Sequence, residues 1–384
     1  MILAALLTLA QAPPLEFVQR EDRIALIGNT TAERMALFGH FEAGLHGALP
    51  DHDLRVFNLA WSADTVSERP RPYRFGELAD DLGRLGIDLA LLFFGFNESF
   101  DGPEGLADFD EGLRGLASQL SGEFGLRLIL VTPLPAEDLG PHLPAASDRN
   151  ELLRLYSNTV RRVGSDLGHP VLDLFARTSD LREAPAHRPL TFNGVHLTEF
   201  GDWFVARLLL EALGHDDPGW SLSVDAAGQA RGIRCAAVRT QQAHGYELAL
   251  DRLPAPAAPG GRGGSLEARG SVRIELEPGT WELLVDGEVG PRATHEEWRS
   301  GVPVFRTPST RLRELVVERA DHFFHRWRPV NGEYVYGRRA SPFGVVSFPP
   351  EMERLDALIA EADERIRAEL QRGRTVRLEW RAVP

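Results

Sequence analysis

The chain has 384 residues, 43% of them hydrophobic and 26% charged, which is too long for one small core and leads us to expect two domains or one domain with an accessory module. A net charge of −14 and a pI near 5.4 exclude nucleic acid and anionic membrane as main partners, because both need a basic face. Cys235 is the only cysteine, which excludes an intrachain disulfide and a CxxC metal or redox pair, and the lack of lysine excludes Schiff-base chemistry.

In chain order, Ile2 to Ala10 is a short apolar segment closed by Ala10-Gln11-Ala12, which resembles an A-x-A cleavage site. Residues 1–19 therefore read as a signal segment and leader, and the mature protein is expected in the periplasm or outside the cell. The segment lacks a positively charged start and Pro13 follows the cut; a start codon set too late would explain both. No later stretch approaches the ~20 apolar residues of a membrane span.

From Arg23 to Gly214, short apolar runs alternate with amphipathic segments, the pattern of βαβ units on a mostly parallel sheet. Strands are expected at Ile24–Ile27, Leu54–Leu59, Leu89–Phe93, Leu126–Val131 and Val171–Leu174. Helices are expected at Thr31–Leu49, Phe75–Leu85, Ala107–Phe124, Asn150–Leu167 and Glu199–Leu213. The fold class that follows is a three-layer α/β/α sandwich over residues 20–215, whose ligand edge gathers the loops after the strands.

Those loops hold the residues with chemistry. The first strand ends at Gly28, and Asn29-Thr30 then lies between a strand end and a helix start, where unpaired N–H groups favour negative charge. Thr30 has two readings: a nucleophilic hydroxyl, or the cap of a Thr30-x-x-Glu33 capping box. Ser62-Ala63-Asp64 follows the second strand, Asn97-Glu98 the third, and Asn193-Gly194-Val195-His196 precedes the last helix. Asn97 and Asn193 could equally be turn formers and His196 a surface residue; their gathering at one sheet edge favours a site.

The ordered set Gly28-Asn29-Thr30, Ser62-Ala63-Asp64, Gly95-x-Asn97-Glu98 and Asn193-x-x-His196 resembles the four sequence blocks of the SGNH (GDSL-type) hydrolase superfamily, in particular the large GDSL-like proteins of planctomycete-type bacteria. The resemblance implies an esterase or acylhydrolase with Thr30 in place of the nucleophilic Ser and His196 as general base. It further implies Ala63 (backbone N–H) and Asn97 (side-chain amide) as oxyanion donors, and Asn193 in place of the Asp that orients the histidine. Thr for Ser adds a methyl that crowds attack, and Asn for Asp removes the charge that stabilises imidazolium. No cofactor or metal is implied.

After Gly214 the runs Trp220–Val224, Ile233–Arg239, Tyr246–Leu250, Val272–Leu276 and Trp281–Val285 suggest a small antiparallel β module over 216–300, with a Pro- and Gly-rich loop at Leu253–Gly264. Residues 301–384 read as a helical region, with helices at Ser309–Phe324 and Glu351–Gln371. His322-x-x-His325 lacks a third ligand at motif spacing and reads as no metal site. His325-Arg326-Trp327-Arg328-Pro329 with Asn331, Tyr334 and Tyr336 is either a surface for sugar or carboxylate or a packed Trp with salt-bridged Arg. The expected function is hydrolysis of an acyl or acetyl ester, on a small molecule or a polysaccharide. The competing reading is a degenerate domain of the same kind that binds glycans.

Overall fold

Five apolar runs pair into one parallel sheet: β1 (Arg23–Gly28), β2 (Arg55–Asn58), β3 (Leu89–Phe93), β4 (Arg127–Val131) and β5 (Val171–Leu172), in the order β2-β1-β3-β4-β5. The structure is a computed structural model, and it describes residues 17–71, 77–143, 145–179, 188–214, 219–242, 245–253, 258–259, 270–304, 310–328 and 348–383. The expected signal segment thus lies almost wholly outside the described residues. In this strand order β1 and β3 are neighbours whose crossovers leave in opposite directions, so a crevice opens at their carboxyl ends.

Connecting the strands are α1 (Thr30–Phe38), α2 (His40–Ala48), α3 (Leu78–Leu85), α4 (Leu106–Gly122), α5 (Ala146–Leu167), α6 (Leu174–Ser179) and α7 (Glu199–Ala212). The single helix expected over Thr31–Leu49 is broken at Gly39, whose φ of 67° lets its N–H cap Met35 O and turn the chain. β5 stops at Leu172, and Leu174 opens α6 where a strand end was expected.

Two compact units divide the chain. One comprises Met1–Phe41, His52–His215 and Val316–Asp363; the other comprises Glu42–Asp51, Asp216–Leu315 and Glu364–Pro384. One unit boundary falls between His215 and Asp216, and residues 301–384 are divided between the two units.

The second unit contains β6 (Trp220–Val224), β7 (Ala230–Ile233), β8 (Cys235–Gln242), β9 (Gly245–Leu250), β10 (Gly270–Ile274), β11 (Thr280–Val285), β12 (Glu288–Thr294), α8 (His295–Ser300), β13 (Val302–Val304) and β14 (Thr375–Val383). One sheet runs β12-β11-β14-β9-β8 and is antiparallel; the other runs β13-β10-β6-β7 and contains a parallel pair, β6 with β10, which a purely antiparallel module would lack. Arg234, at φ 61°, divides the single run expected over Ile233–Arg239 into β7 and β8. Most of the Leu253–Gly264 loop lies outside the described residues. Alternation buries one face of β6, β9, β10, β11, β13 and β14 around Trp220, Trp281, Trp298 and Trp380.

In the first unit, both faces of the parallel sheet are buried, as an all-parallel sheet requires. On one face Ala25, Ile27, Ala90, Leu92, Leu128 and Leu130 pack with α4 and α5 and with Phe323 and Trp327 of α9 (Arg311–Trp327). Arg319 of α9 is buried, donates to Val56 O and pairs with Asp363 of α10 (Phe348–Gly373). A C-terminal helix thereby completes the core of the N-terminal sheet.

Candidate active site

The turn from β1 into α1 requires glycine. Gly28 has φ +137°, and a Cβ there would sit 2.2 Å from Phe93 O. Asn29 N then donates to the same carbonyl at 3.2 Å, so the ends of β1 and β3 are fastened together. Asn29 is extended, and its Oδ1 accepts from Thr31 N at 3.1 Å. Asn29 is therefore the helix cap, which corrects the Thr30-x-x-Glu33 capping box. Thr30 is the first residue of α1, and its Oγ1 donates to Ser62 O at 3.2 Å instead of accepting from Glu33.

Ser62 O is a shared acceptor. Asn97 Nδ2 donates to it at 3.1 Å and to Asp64 O at 2.8 Å, so both amide hydrogens of Asn97 hold the loop after β2. The Ser62 carbonyl thus lies against the expected nucleophile, the Thr30 hydroxyl, and against one expected oxyanion donor, the Asn97 amide. Because the peptide is planar and trans, the Ala63 N–H on its other side points away from them. In this arrangement neither Ala63 nor Asn97 offers a free donor to a ligand.

The same loop is clamped from several sides. Asp64 is fully buried and paired with Arg71 at 2.5 and 2.7 Å; burial pushes its pKa up against the pull of that arginine. Arg328 donates to Ala60 O and Glu33 Oε1, both at 2.6 Å, and lies 3.7 Å over the Trp61 ring. The second Glu33 oxygen accepts from the Ser62 hydroxyl. Glu98 accepts from Val66 N at 2.9 Å and Gly95 N at 2.7 Å, tying the loops after β2 and β3 together; burial pushes its pKa up despite these bonds.

His196 is carried by a turn closed by the Thr191–Leu197 bridge. Buried Glu137 fixes that turn, accepting from Leu190 N at 3.0 Å, Thr191 N at 2.7 Å and Thr191 Oγ1 at 2.6 Å. Within it, Asn193 Oδ1 accepts from His196 N at 2.8 Å and Val195 N at 3.2 Å. That fixes the amide so that Nδ2 meets His196 Nδ1 at 2.9 Å, with Oδ1 3.2 Å from the same nitrogen. With the amide donating to Nδ1 the ring proton lies on Nε2, and with Nδ1 donating to Oδ1 it lies on Nδ1; the shorter contact is the first. Burial, followed by the guanidinium of Arg34, holds the His196 pKa below its ordinary 6.5.

Asn29, Thr30, Asn97, Asn193, His196 and Arg34 line one cavity of about 290 Å³, walled otherwise by Thr31, Phe96, Phe100, Val195 and Leu197. Of the expected site residues, Thr30, Asn97, Asn193 and His196 are gathered there, and Ala63 is not among the lining. Glu137 and Arg34 went unremarked in the sequence. Glu137 precedes no recognisable motif, while Arg34 lies four residues after Thr30 and so on the same helical face, a signal that was available. Of the two readings of the stretch at the end of α9, the described residues fit the packed Trp with salt-bridged Arg: Trp327 Nε1 donates to Asp81 at 2.7 Å and Arg326 pairs with Asp356 at 2.8 Å. Pro329, Asn331, Tyr334 and Tyr336 lie outside the described residues. His322 and His325 face Glu318 and Asp321 one turn back, and no cluster of three or more metal-ligating side chains occurs among the described residues. No described helix is long and apolar enough to cross a membrane.

Residues 29–203 match the model of the GDSL-like lipase/acylhydrolase family. A gut microbial diltiazem-metabolizing enzyme, BT4096, shares the fold, with a TM-score of 0.68 and 14% identity over 97% of this chain and 100% of its own. Weaker likenesses are to the acetyl xylan esterase AlAXEase (TM-score 0.40, 18% identity, 50% of this chain and 99% of that one) and to a catalytic mutant of Axe2, an acetylxylan esterase from Geobacillus stearothermophilus (0.43, 16%, 52% and 97%). No curated protein matches the chain in sequence.

Proposed function

We propose that this chain is an exported ester hydrolase of the SGNH/GDSL type that cleaves acyl or acetyl esters, including those on carbohydrate, through Thr30 and His196. One observation carries the reading: Thr30, Asn97, Asn193 and His196, distant in sequence, line a single cavity at the carboxyl edge of β1 and β3. In the reaction, Thr30 Oγ1 adds to the ester carbonyl carbon and its proton passes to His196 Nε2. The tetrahedral intermediate collapses, and the alcohol leaves with that proton. Water then attacks the acyl-threonine by the same route, releasing the acid and restoring the hydroxyl.

Two adjustments are built into this mechanism. Nε2 accepts a proton only when the ring carries its own on Nδ1, where Asn193 Oδ1 at 3.2 Å receives it. The oxyanion takes the position that Ser62 O now fills; turning the Ser62–Ala63 peptide over would withdraw that carbonyl, release the Asn97 amide and bring in the Ala63 N–H, alongside the amino end of α1.

A second reading, a degenerate domain that holds a glycan without cleaving it, is favoured by the 2.9 Å approach of Asn193 Nδ2 to His196 Nδ1, which leaves Nε2 protonated. Hydrolysis of 4-nitrophenyl acetate by the purified protein and by His196→Ala separates the two. A parent rate well above the variant supports the enzyme, and equal rates support the binding protein.

A further inference from the structure

We propose that the cavity takes an ester that itself carries a carboxylate, held by Arg34. This deepens the hydrolase reading by naming the substrate class of the same site. Arg34 stands four residues after Thr30 on α1, so the two share a helix face with Cβ atoms about 5–6 Å apart. Its side chain leans toward the amino end of the helix, the end that carries Thr30. Among the described residues its guanidinium makes no hydrogen bond or ion pair. Nε is buried without a partner, and the recorded contact is with the Phe192 ring, 5.4 Å from the guanidinium carbon.

An unpaired arginine is conspicuous here. The chain has 56 acidic and 42 basic residues, so carboxylates are in excess, yet none lines this cavity. The carboxylates nearest in sequence to its motifs are engaged: Glu33 by Arg328 and the Ser62 hydroxyl, Asp64 by Arg71, Glu98 by two backbone amides. Arg34 therefore offers a half-buried fork of donors suited to a planar carboxylate from outside the chain. The remaining walls, Phe96, Phe100, Val195 and Leu197, suit an apolar body between that carboxylate and the ester. The carboxylate could be carried by the acyl or by the alcohol portion.

Two pairs of esters test this in the full-length protein. 4-Nitrophenyl hemiglutarate against 4-nitrophenyl butyrate reads a carboxylate on the acyl side; 4-acetoxybenzoate against 4-acetoxybenzamide reads one on the alcohol side. The charged ester is expected to win by about tenfold or more in kcat/KM in one pair, with the ratio collapsing in Arg34→Gln and partly kept in Arg34→Lys. No preference in either pair, or an Arg34→Gln loss equal for charged and neutral esters, overturns the proposal. Calorimetric binding of monomethyl glutarate, against methyl butyrate, to His196→Ala gives a readout independent of catalysis. Arg34-dependent binding, together with a parent protein that cleaves none of the esters, would leave the carboxylate site standing and sink the hydrolase reading. Cleavage of butyrate with no Arg34-dependent binding would do the reverse.

Discussion

Asn193 Nδ2 lies 2.9 Å from His196 Nδ1, closer than Oδ1 at 3.2 Å, and this contact favours the ring proton on Nε2. The amide cannot turn over without giving up the bonds from Val195 N and His196 N to its oxygen. An aspartate would keep both and accept the Nδ1 proton as well, freeing Nε2 to act as base. Asn193→Asp is therefore expected to raise kcat on a chromogenic acetate by roughly 10²–10⁴, the reverse of the loss when a triad aspartate becomes asparagine. An unchanged rate, with the fold intact by circular dichroism, would remove the tautomer argument.

Thr30 is not the cap of α1, so its substitution should leave stability nearly alone. Thr30→Ser should match or raise the ester-cleaving rate because the crowding methyl is gone. Thr30→Ala should abolish it apart from a residue due to binding and the remaining oxyanion donors, with melting little changed. An Ala variant as fast as the parent would exclude Thr30 as nucleophile.

Asn97 holds Ser62 O and Asp64 O together. Asn97→Ala leaves both carbonyls short of a donor and is expected to destabilise the fold by about 1–3 kcal/mol as well as to slow catalysis. Denaturant unfolding checks the first effect. A variant with full stability would mean that water satisfies those carbonyls and that the loop stands without Asn97.

His196 titrates below 6.5, chiefly through burial and secondarily through Arg34. The base must be neutral, so the rate should rise with pH along a limb whose midpoint lies below 6.5, and Arg34→Gln should move that limb upward. The folded pKa is depressed, so the folded state binds fewer protons; the stability tied to this group is complete above 6.5 and is lost as pH falls through the folded value. A limb at or above 6.5 in the parent would contradict the environment described.

Glu137 is remote from chemistry but fixes the turn that carries His196. Glu137→Gln keeps the shape while replacing one acceptor oxygen by a donor facing N–H groups, so both melting temperature and kcat should fall, by about 1–3 kcal/mol of stability. Loss of stability with full activity would show that the turn keeps its shape without this anchor.

The parallel sheet was legible because each strand is a bounded apolar run, and the four motif loops were legible because strand ends direct them to one edge. What the sequence hid was partnership. Nothing local says that Glu137 belongs to Thr191, or that Asn29 and not Thr30 caps α1, since Asn-Thr offers two capping side chains in a row. The direction of the Ser62 carbonyl is equally silent, because it depends on which donors, Thr30 and Asn97, reach it from other loops. β14 was missed because its alternation follows a long charged helix and its partners β9 and β11 lie about a hundred residues earlier in the chain.

Arg328 grips the loop after β2 from 295 positions beyond its other partner, Glu33, while Trp327 and Phe323 fill the sheet core beside Phe57 and Trp61. The motif-bearing segment is thus not a transplantable cassette. A fragment cut at residue 215 would keep every residue of the cavity and still bare the apolar seat of α9, strand Asp81 without its indole and leave Glu33 without its arginine. Loss of α9 is expected to be felt at Thr30, whose partner Ser62 O belongs to the loop that Arg328 holds, so a segment distant in sequence steadies the site without lining it.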